Sequence, residues 1–244
     1  ARERILGLVR DTQIHEPMFT IDWHFLTGRG ELESAAIEEL ANDRVLDQAY
    51  PYLRSGVHPF IERYLNATET VLVLQGPPGT GKTRLIRAVL GALARREHGH
   101  ASALYTGDKK TTESDEIFVK FITGWHDAFV VEDADHLLRP RAEGNENLHR
   151  FLSIADGVVR AQGRKIIFST NLPNVGDLDD ALVRAGRCFA HVMTRALSGA
   201  ESDLLGAALT DGKISSLRPV DKKGAAEELA TLAEIYRAVA ERSS

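Results

Sequence analysis

The sequence predicts an α/β fold, with a parallel sheet covered by helices on both faces. Short, continuous apolar runs are typical of strands buried on both sides, and here they alternate with segments of helical spacing. A glycine-rich loop joins the first of these runs, residues 71–74, to a helix expected over residues 82–96. From about residue 198 we expect no further strands, and two predicted helices there indicate a small C-terminal helical domain.

The part of the chain before this loop is expected to lead into the main sheet. Residues 18–25 are rich in strand-forming side chains, and residues 27–30 have the composition of a turn. Residues 31–49 show helical spacing of their apolar positions, and residues 58–65 predict a short helix.

After the loop, further strands and helices are expected to alternate. The polar stretch 108–116 predicts an exposed, mobile loop. Phe118 and Phe121 follow it at helical spacing, so we expect both in the core. The expected strands are residues 103–105, 128–131 and 165–170, and the expected helices are residues 147–159, 200–209 and 225–241.

Composition and charge narrow the class of protein. The chain has 244 residues, of which 43% are hydrophobic and 27% charged, as in a soluble globular protein with a sizeable core. Its net charge of -5 argues against bulk polyanion binding, although a local basic patch stays open. No stretch approaches the roughly 18 uninterrupted apolar residues that span a membrane.

The single cysteine bears on the compartment. Cys188 excludes an internal disulfide, and with no secretory signal in view we expect a cytoplasmic protein. The first residue is not methionine, which indicates processing or trimming. Cys188 is expected to be a packed structural thiol, and His98 and His100 are expected to be solvated because no metal-ligand pattern surrounds them.

The glycine-rich loop carries the clearest chemistry. Its residues match G-x-x-x-x-G-K-[ST] between an apolar strand and a helix, which is the context that a phosphate-binding loop requires. Glycines let the backbone wrap around phosphate, and the helix N-terminus favours the negative charge. We therefore predict a three-layer P-loop NTPase that binds ATP with Mg2+ through Gly76, Pro77, Pro78, Gly79, Thr80, Gly81, Lys82 and Thr83.

The last two residues of the loop motif have expected roles. Lys82 should reach the β- and γ-phosphates, and Thr83 should ligate magnesium.

Acidic residues follow the strand predicted at 128–131, where ligands of open α/β sheets bind. One carboxylate there should hold the magnesium shell, and a neighbour could orient and deprotonate the attacking water.

Together, these residues resemble the AAA subset of the AAA+ ATPases, over roughly residues 60–240. That family usually has Asp-Glu-Ala-Asp after the strand, whereas this chain has Glu132-Asp133-Ala134-Asp135, so the acidic pair is reversed. The resemblance implies, by register, Glu132 at the magnesium position and Asp133 as the catalytic base. Slow hydrolysis, or a shifted register with Asp133 on the metal shell, is the alternative.

The resemblance extends to three polar residues further along. Asn171 follows the strand at 165–170 and would be the sensor residue near the γ-phosphate. Arg184 and Arg187 match the pair with which the family reaches the γ-phosphate bound by the adjacent subunit, although Ala185 replaces the usual proline. The resemblance therefore implies a homo-oligomeric ring, most simply a hexamer, with binding sites shared between its subunits.

Some features depart from the family or carry less information. Family members that thread polypeptides have an aromatic-hydrophobic-glycine loop, and residues 108–122 contain none at the expected tip. Residues 139–152 take the position of the second pore loop and next helix, and both partner contact and a plain solvated loop stay open there. Residues 232–236 resemble lid helices and are expected to pack the lid rather than to contact nucleotide.

The expected organisation is an N-terminal region at 1–60 of unknown role, an AAA+ α/β domain at 61–196 and a helical lid at 197–244. The leading hypothesis is a ring-forming ATPase that binds ATP, hydrolyses it to ADP and remodels an unidentified protein or protein complex. One alternative is a nucleic-acid-associated ATPase of the loader or transposition-helper type, which the acidic charge does not favour. Another is a nucleotide-gated scaffold with weak hydrolysis, as the reversed acidic pair suggests.

Overall fold

The computed structural model describes residues 20–26, 32–36, 45–97, 100–140, 148–149, 163–184, 186–213 and 229–243. Its strands are β1 (Thr20–Leu26), β2 (Leu32–Ala36), β3 (Val71–Gln75), β4 (His100–Thr106), β5 (Ala128–Val131), β6 (Lys165–Thr170), β7 (Cys188–Met193), β8 (Leu197–Ser198) and β9 (Leu229–Ala230). Its α-helices are α1 (Val57–Asn66), α2 (Lys82–Arg96), α3 (Lys109–Glu113), α4 (Asp115–Thr123), α5 (Asp135–Leu138), α6 (Gly199–Leu209) and α7 (Leu232–Ser243). Short 3-10 helices cover Asp47–Ala49 and Val175–Asp177.

The main sheet has seven strands in the order β2-β1-β4-β5-β6-β3-β7. Every pairing from β1 to β7 in this order is parallel, and β2 alone is antiparallel to its neighbour β1. The carboxyl ends of β3, β4, β5 and β6 therefore lie at one edge of the sheet, with β6 between β3 and β5. This confirms the predicted α/β fold with a parallel sheet.

Buried clusters lie on both faces of the sheet. On one face, α1 and α2 pack through residues such as Tyr64 and Leu85. On the other, α4 packs through Phe118 and Phe121, which are 5% and 0% exposed, against Phe129 of β5. The prediction that both phenylalanines lie in the core is confirmed, and the alternating burial follows from the two-faced strands.

One prediction for the N-terminal part of the chain is wrong. The helical spacing over residues 31–49 does not produce a helix at residues 32–36, which pair as β2 with β1. Pairing along a whole strand outweighs a weak local periodicity. The strand predicted at 18–25 is confirmed where β1 is described, and the turn predicted at 27–30 lies outside the described residues.

The polar stretch 108–116 is not a loop but forms α3 and the start of α4. Its polar residues serve as helix caps: the Asp108 carboxylate accepts from the Thr111 amide, and the Ser114 hydroxyl accepts from the Glu116 amide. Such residues favour both caps and turns, which explains the error. Thr111 and Thr112, both within α3, are buried.

The C-terminal segment contains both helices that were expected, with two differences. α6 starts in a capping box between Ser198 and Glu201, and α7 starts at Leu232 rather than near residue 225. Residues 229–230 form β9, antiparallel to β8, so the expectation of no strand beyond residue 198 is wrong. The helix predicted over 147–159 lies outside the described residues except for 148–149.

Residues from outside the central segment share its core. Tyr50, Leu205, Leu232 and Ile235 belong to the same buried cluster as Leu85 of α2. The expected domain boundaries at residues 60 and 196 thus stay a prediction. Within the described ranges, no helix is long and apolar enough to cross a membrane.

Candidate functional site

The phosphate-loop motif links β3 to α2, as its sequence context requires. Gly79 and Gly81 have φ of 79° and 92°, in the left-handed region that L side chains rarely adopt. At Gly76, an added Cβ would lie 2.1 Å from the Thr194 carbonyl oxygen, so only glycine fits there. The loop backbone is thereby fixed in a tight turn that opens directly onto the N-terminus of α2.

Lys82 is buried beneath this turn, where its ammonium group is held by three acceptors. The Nζ atom donates to the carbonyl oxygens of Gly76 and Pro77 at 2.6 and 3.0 Å, and to Asn171 Oδ1 at 2.9 Å. Burial lowers the pKa of Lys82, while the neighbouring carboxylates, Asp133 first among them, oppose that shift. The positive charge therefore lies between the loop and the end of β6.

Thr83 and Glu132 meet across the gap between α2 and β5. Thr83 Oγ1 donates to Glu132 Oε1 at 2.6 Å, and Tyr105 OH donates to Glu132 Oε2 at 2.8 Å. Thr83 and Glu132 thus place a hydroxyl and a carboxylate oxygen beside the phosphate loop. Mg2+ prefers such oxygen ligands when it keeps several waters and binds nucleotide phosphates. The residues present therefore fit the ion that the sequence predicts, with Glu132 rather than Asp133 beside Thr83.

Asp133 occupies a different environment from its neighbour. Its backbone is left-handed, with φ of 50°, a conformation that Asp and Asn tolerate better than most residues. Asn171 Nδ2 donates to Asp133 Oδ1 at 2.9 Å. Lys82 Nζ also donates to Asn171 Oδ1. The exposed carboxylate of Asp133 is therefore linked to Lys82 through the two hydrogen bonds of the Asn171 side chain.

Asp135 fixes the end of β6, a role that the sequence analysis did not assign. Its Oδ1 accepts from Thr170 Oγ1 at 2.5 Å and from the Asn171 amide at 2.9 Å. The backbone of Asn171 is therefore tied to the acidic segment, while its side chain bridges Lys82 and Asp133. The Ala-Asp that follows the acidic pair could have signalled this, because an Asp readily accepts from nearby backbone amides.

Lys82, Thr83, Glu132, Asp133 and Asn171 line one cavity of about 570 Å³. Its floor is the phosphate loop with Lys82 and Thr83, and one wall carries Glu132, Asp133 and Asn171. The remaining lining residues are Pro78, Gly79, Gly81, Arg84, Ser169, Leu232, Ala233 and Tyr236. A cavity of this size falls within the range of small-ligand sites.

The start of α7 forms part of this cavity. The Ala233 amide donates to the Gly79 carbonyl at 3.1 Å, and the Arg84 guanidinium lies 3.9 Å from the centre of the Tyr236 ring. Residues 232–236 were expected to pack rather than to approach the nucleotide. Leu232 and Ile235 are indeed buried, but Leu232, Ala233 and Tyr236 also line the cavity.

Arg184 and Arg187 do not line this cavity. Both follow a segment anchored by the buried Leu182, and Arg184 is exposed. Arg187 is half-buried and donates to the Ala181 carbonyl at 2.9 Å. Within one chain, the structure thus brings together Lys82, Thr83, the acidic pair and Asn171, but not the two arginines.

Cys188, His98 and His100 were not expected to take part in binding or catalysis. Burial raises the pKa of the Cys188 thiol to about 11, which fits the expected packed thiol. His100 is exposed at the start of β4, and His98 lies outside the described residues. Among the residues that the structure describes, no three His, Cys, Asp or Glu side chains cluster to hold a metal by themselves.

Comparisons with known proteins find several relatives of this chain. A protein of Rothia mucilaginosa described as an AAA ATPase forming ring-shaped complexes is 29% identical over 193 residues, which are 66% of this chain and 30% of that protein. An ATP-dependent zinc metalloprotease FtsH of Pelobacter propionicus is 30% identical over 134 residues, or 50% of this chain and 21% of the relative. A protein of Caenorhabditis elegans described as an ATP-dependent zinc metalloprotease YME1 homologue is 31% identical over 134 residues, or 48% of this chain and 17% of the relative.

The chain therefore spans less than a third of the length of each of these relatives. Residues 72–196, from β3 to the end of the segment after β7, match the family described as ATPase family associated with various cellular activities. This match covers half of the chain and contains Lys82, Thr83, the acidic pair and Asn171, but not the lining residues of α7. The chain belongs to the AAA family of ATPases.

Proposed function

We propose that this chain hydrolyses ATP with Mg2+ in a ring whose sites are shared between subunits, and that the cycle remodels a protein or protein complex. One observation carries the proposal. The cavity gathers Lys82, Thr83, the acidic pair and Asn171, while Arg184 and Arg187 lie outside it in the same chain. A neighbouring copy is the source from which such arginines would complete the site.

The chemistry follows from the positions of the side chains. The phosphates of ATP lie against the loop amides and Lys82. Thr83 and Glu132 would hold Mg2+, which would neutralise part of the phosphate charge. Asn171 orients water beside Asp133, whose carboxylate accepts a proton as the water oxygen bonds to the γ-phosphorus. The bond from that phosphorus to the β–γ bridging oxygen breaks, and ADP and phosphate leave.

The shared site rests on the chemistry of arginine. Its planar, permanently charged group stabilises charge on a phosphoryl group in transfer, and in related nucleotide hydrolases such an arginine can come from another molecule. Arg184 is exposed, so a neighbouring nucleotide can reach it without unfolding this chain. The relative described as forming ring-shaped complexes supports a ring, for which we propose six subunits.

Work on a protein is the proposed use of the cycle. The two metalloprotease relatives are described as ATP-dependent, so in them nucleotide use accompanies action on protein. In this chain, α7 contacts the phosphate loop through Ala233 and Gly79. Loss of the γ-phosphate can therefore shift α7 against the main sheet, and that movement is the step we assign to remodelling.

The direct test measures ATP turnover per subunit against protein concentration, with the particle mass determined with and without ATP. A shared site predicts turnover that rises with concentration as the mass increases to a ring. Constant turnover per subunit from a monomer would refute sharing. Absent turnover in a fully formed ring would favour the nucleotide-gated scaffold.

A second measurement separates protein remodelling from action on nucleic acid. Affinity for DNA, followed as salt is raised from low to physiological concentration, should stay weak throughout. A strong affinity that falls steeply with salt would show many released counterions and support the nucleic-acid alternative.

A further inference from the structure

The reversed acidic pair places the longer side chain at the magnesium position. Glutamate has one more methylene than aspartate, so its carboxylate has one more torsion to fix before it can meet an ion. In this structure both of its oxygens are engaged. Oε1 accepts from Thr83 Oγ1 at 2.6 Å, and Oε2 accepts from Tyr105 OH at 2.8 Å.

Tyr105 comes from β4, which is separated in the sheet from β3, the strand that leads into the phosphate loop, by β5 and β6. It lies near the end of β4, in register with Val130 of β5, two residues before Glu132. Its ring packs against the buried cluster beneath α1 and α2, which leaves only the hydroxyl to reach the acidic pair. The two hydroxyls come from two different elements, α2 and β4, and each engages one oxygen of the Glu132 carboxylate.

We propose that Tyr105 is a positioning residue that orients Glu132 toward magnesium and thereby lets the reversed acidic pair work. This rests on the proposed function, in which Glu132 belongs to the magnesium shell. Partners that orient a metal-ligating carboxylate contribute to metal affinity although they do not touch the ion. An aspartate at position 132 would have a shorter reach, so the hydroxyl of Tyr105 would lose its acceptor.

A packing role for Tyr105 makes a different forecast. The half-buried ring contributes to the core whether or not its hydroxyl is present. Tyr105→Phe keeps the ring and removes the donor, so any effect restricted to magnesium belongs to the hydroxyl. Tyr52→Phe is the matched control, because the buried Tyr52 hydroxyl has no hydrogen-bond partner among the described residues.

The test measures affinity for a fluorescent ATP analogue in Mg2+ and in EDTA, with the melting temperature recorded for each variant. We expect Tyr105→Phe to lower the affinity for the ATP analogue in Mg2+ by about tenfold. Its affinity in EDTA and its melting temperature should be unchanged. Tyr52→Phe should bind as the parent does in both. An equal loss in Mg2+ and EDTA would overturn the positioning role and leave packing.

A second pair of variants tests whether the effect runs through Glu132. In a Glu132→Asp background, adding Tyr105→Phe should cause no further loss in Mg2+. The same tenfold loss in both backgrounds would overturn the proposal. If the parent gains no affinity from Mg2+, the magnesium assignment fails and the role of Tyr105 fails with it; if the parent gains and Tyr105→Phe gains equally, only the role of Tyr105 fails.

Discussion

The cavity at the strand ends and the segment that carries Arg184 and Arg187 differ in how complete they are. In the cavity, Lys82 contacts Asn171, and Asn171 contacts Asp133. These groups hold one another, so a single chain presents an ordered binding site. The arginine segment is anchored by the buried Leu182, but neither of its arginines lines the cavity. From this difference we expect binding to need only one chain, whereas the proposed shared site predicts that hydrolysis needs two.

The two carboxylates after β5 differ in a related way. Glu132 is held by two hydroxyls, whereas Asp133 is exposed and contacts the side chain of Asn171. A metal ligand benefits from fixed geometry, and a base needs room for water and a proton. This division supports the simple register, in which Glu132 holds the ion and Asp133 is the base, over the shifted alternative.

Removing the ammonium group from the cavity should have the largest effect. Lys82→Ala loses hydrogen bonds from a charged donor, each worth about 1.5–3 kcal/mol, so we expect no ATP binding at micromolar concentration and no turnover. Calorimetry with ATP checks this. Lys109→Ala, which removes an exposed lysine of α3, is the control and should bind normally. Micromolar affinity in Lys82→Ala would remove the phosphate loop from the account.

Changing the arginine segment should separate binding from hydrolysis. Arg187→Ala should keep ATP affinity near that of the parent and lower turnover by about 10³- to 10⁵-fold, as an arginine supplied in trans does. A coupled phosphate-release assay measures the rate, and the exposed Arg63→Ala of α1 is the control. Full turnover by dilute Arg187→Ala would break the comparison between the two regions.

The base can be disabled without disturbing its shape. Asp133→Asn keeps an oxygen for Asn171 and removes the proton acceptor, so turnover should fall by about 10²- to 10⁴-fold while ATP stays bound. Chromatography of the bound nucleotide shows whether it is ATP or ADP. Asp180→Asn, an exposed carboxylate outside the cavity, serves for comparison. Normal turnover in Asp133→Asn would assign the base elsewhere.

Loosening the end of β6 should have the smallest effect. Asp135→Ala frees the backbone of Asn171, and since a misplacement of about 1 Å can cost up to 10²-fold, we expect turnover to fall about tenfold with affinity retained. Asp135→Asn keeps the acceptor oxygen and should recover most of the rate. Equal loss in both variants would point to the charge of Asp135 rather than to its hydrogen bonds.

Sequence reasoning reached the parts of the site that are local in the chain. The phosphate loop, the acidic pair and Asn171 each follow a strand that the apolar runs reveal. Tyr105 could not be found this way, because its role depends on β4 lying beside β5. The contact of Ala233 with Gly79 joins positions far apart in sequence, so no local pattern indicates it.

The same limit applies to the fold. The run at residues 128–131 is apolar throughout, the run at 165–170 has three consecutive apolar residues at 166–168, and both are strands. β7 was not predicted, since His191 interrupts an apolar run at the sheet edge. β2 was predicted as helix because its pairing with β1, not its own spacing, decides its conformation.

The most direct test of the shared site mixes two inactive variants. Asp133→Asn keeps its arginines, and Arg187→Ala keeps its acidic pair, so one type of interface in the mixed ring is intact. Equal mixing should restore about one quarter of the parent turnover, because random order makes one interface in four complete. A mixture as inactive as its two components, in rings whose mass shows that both are present, would contradict a site shared between subunits.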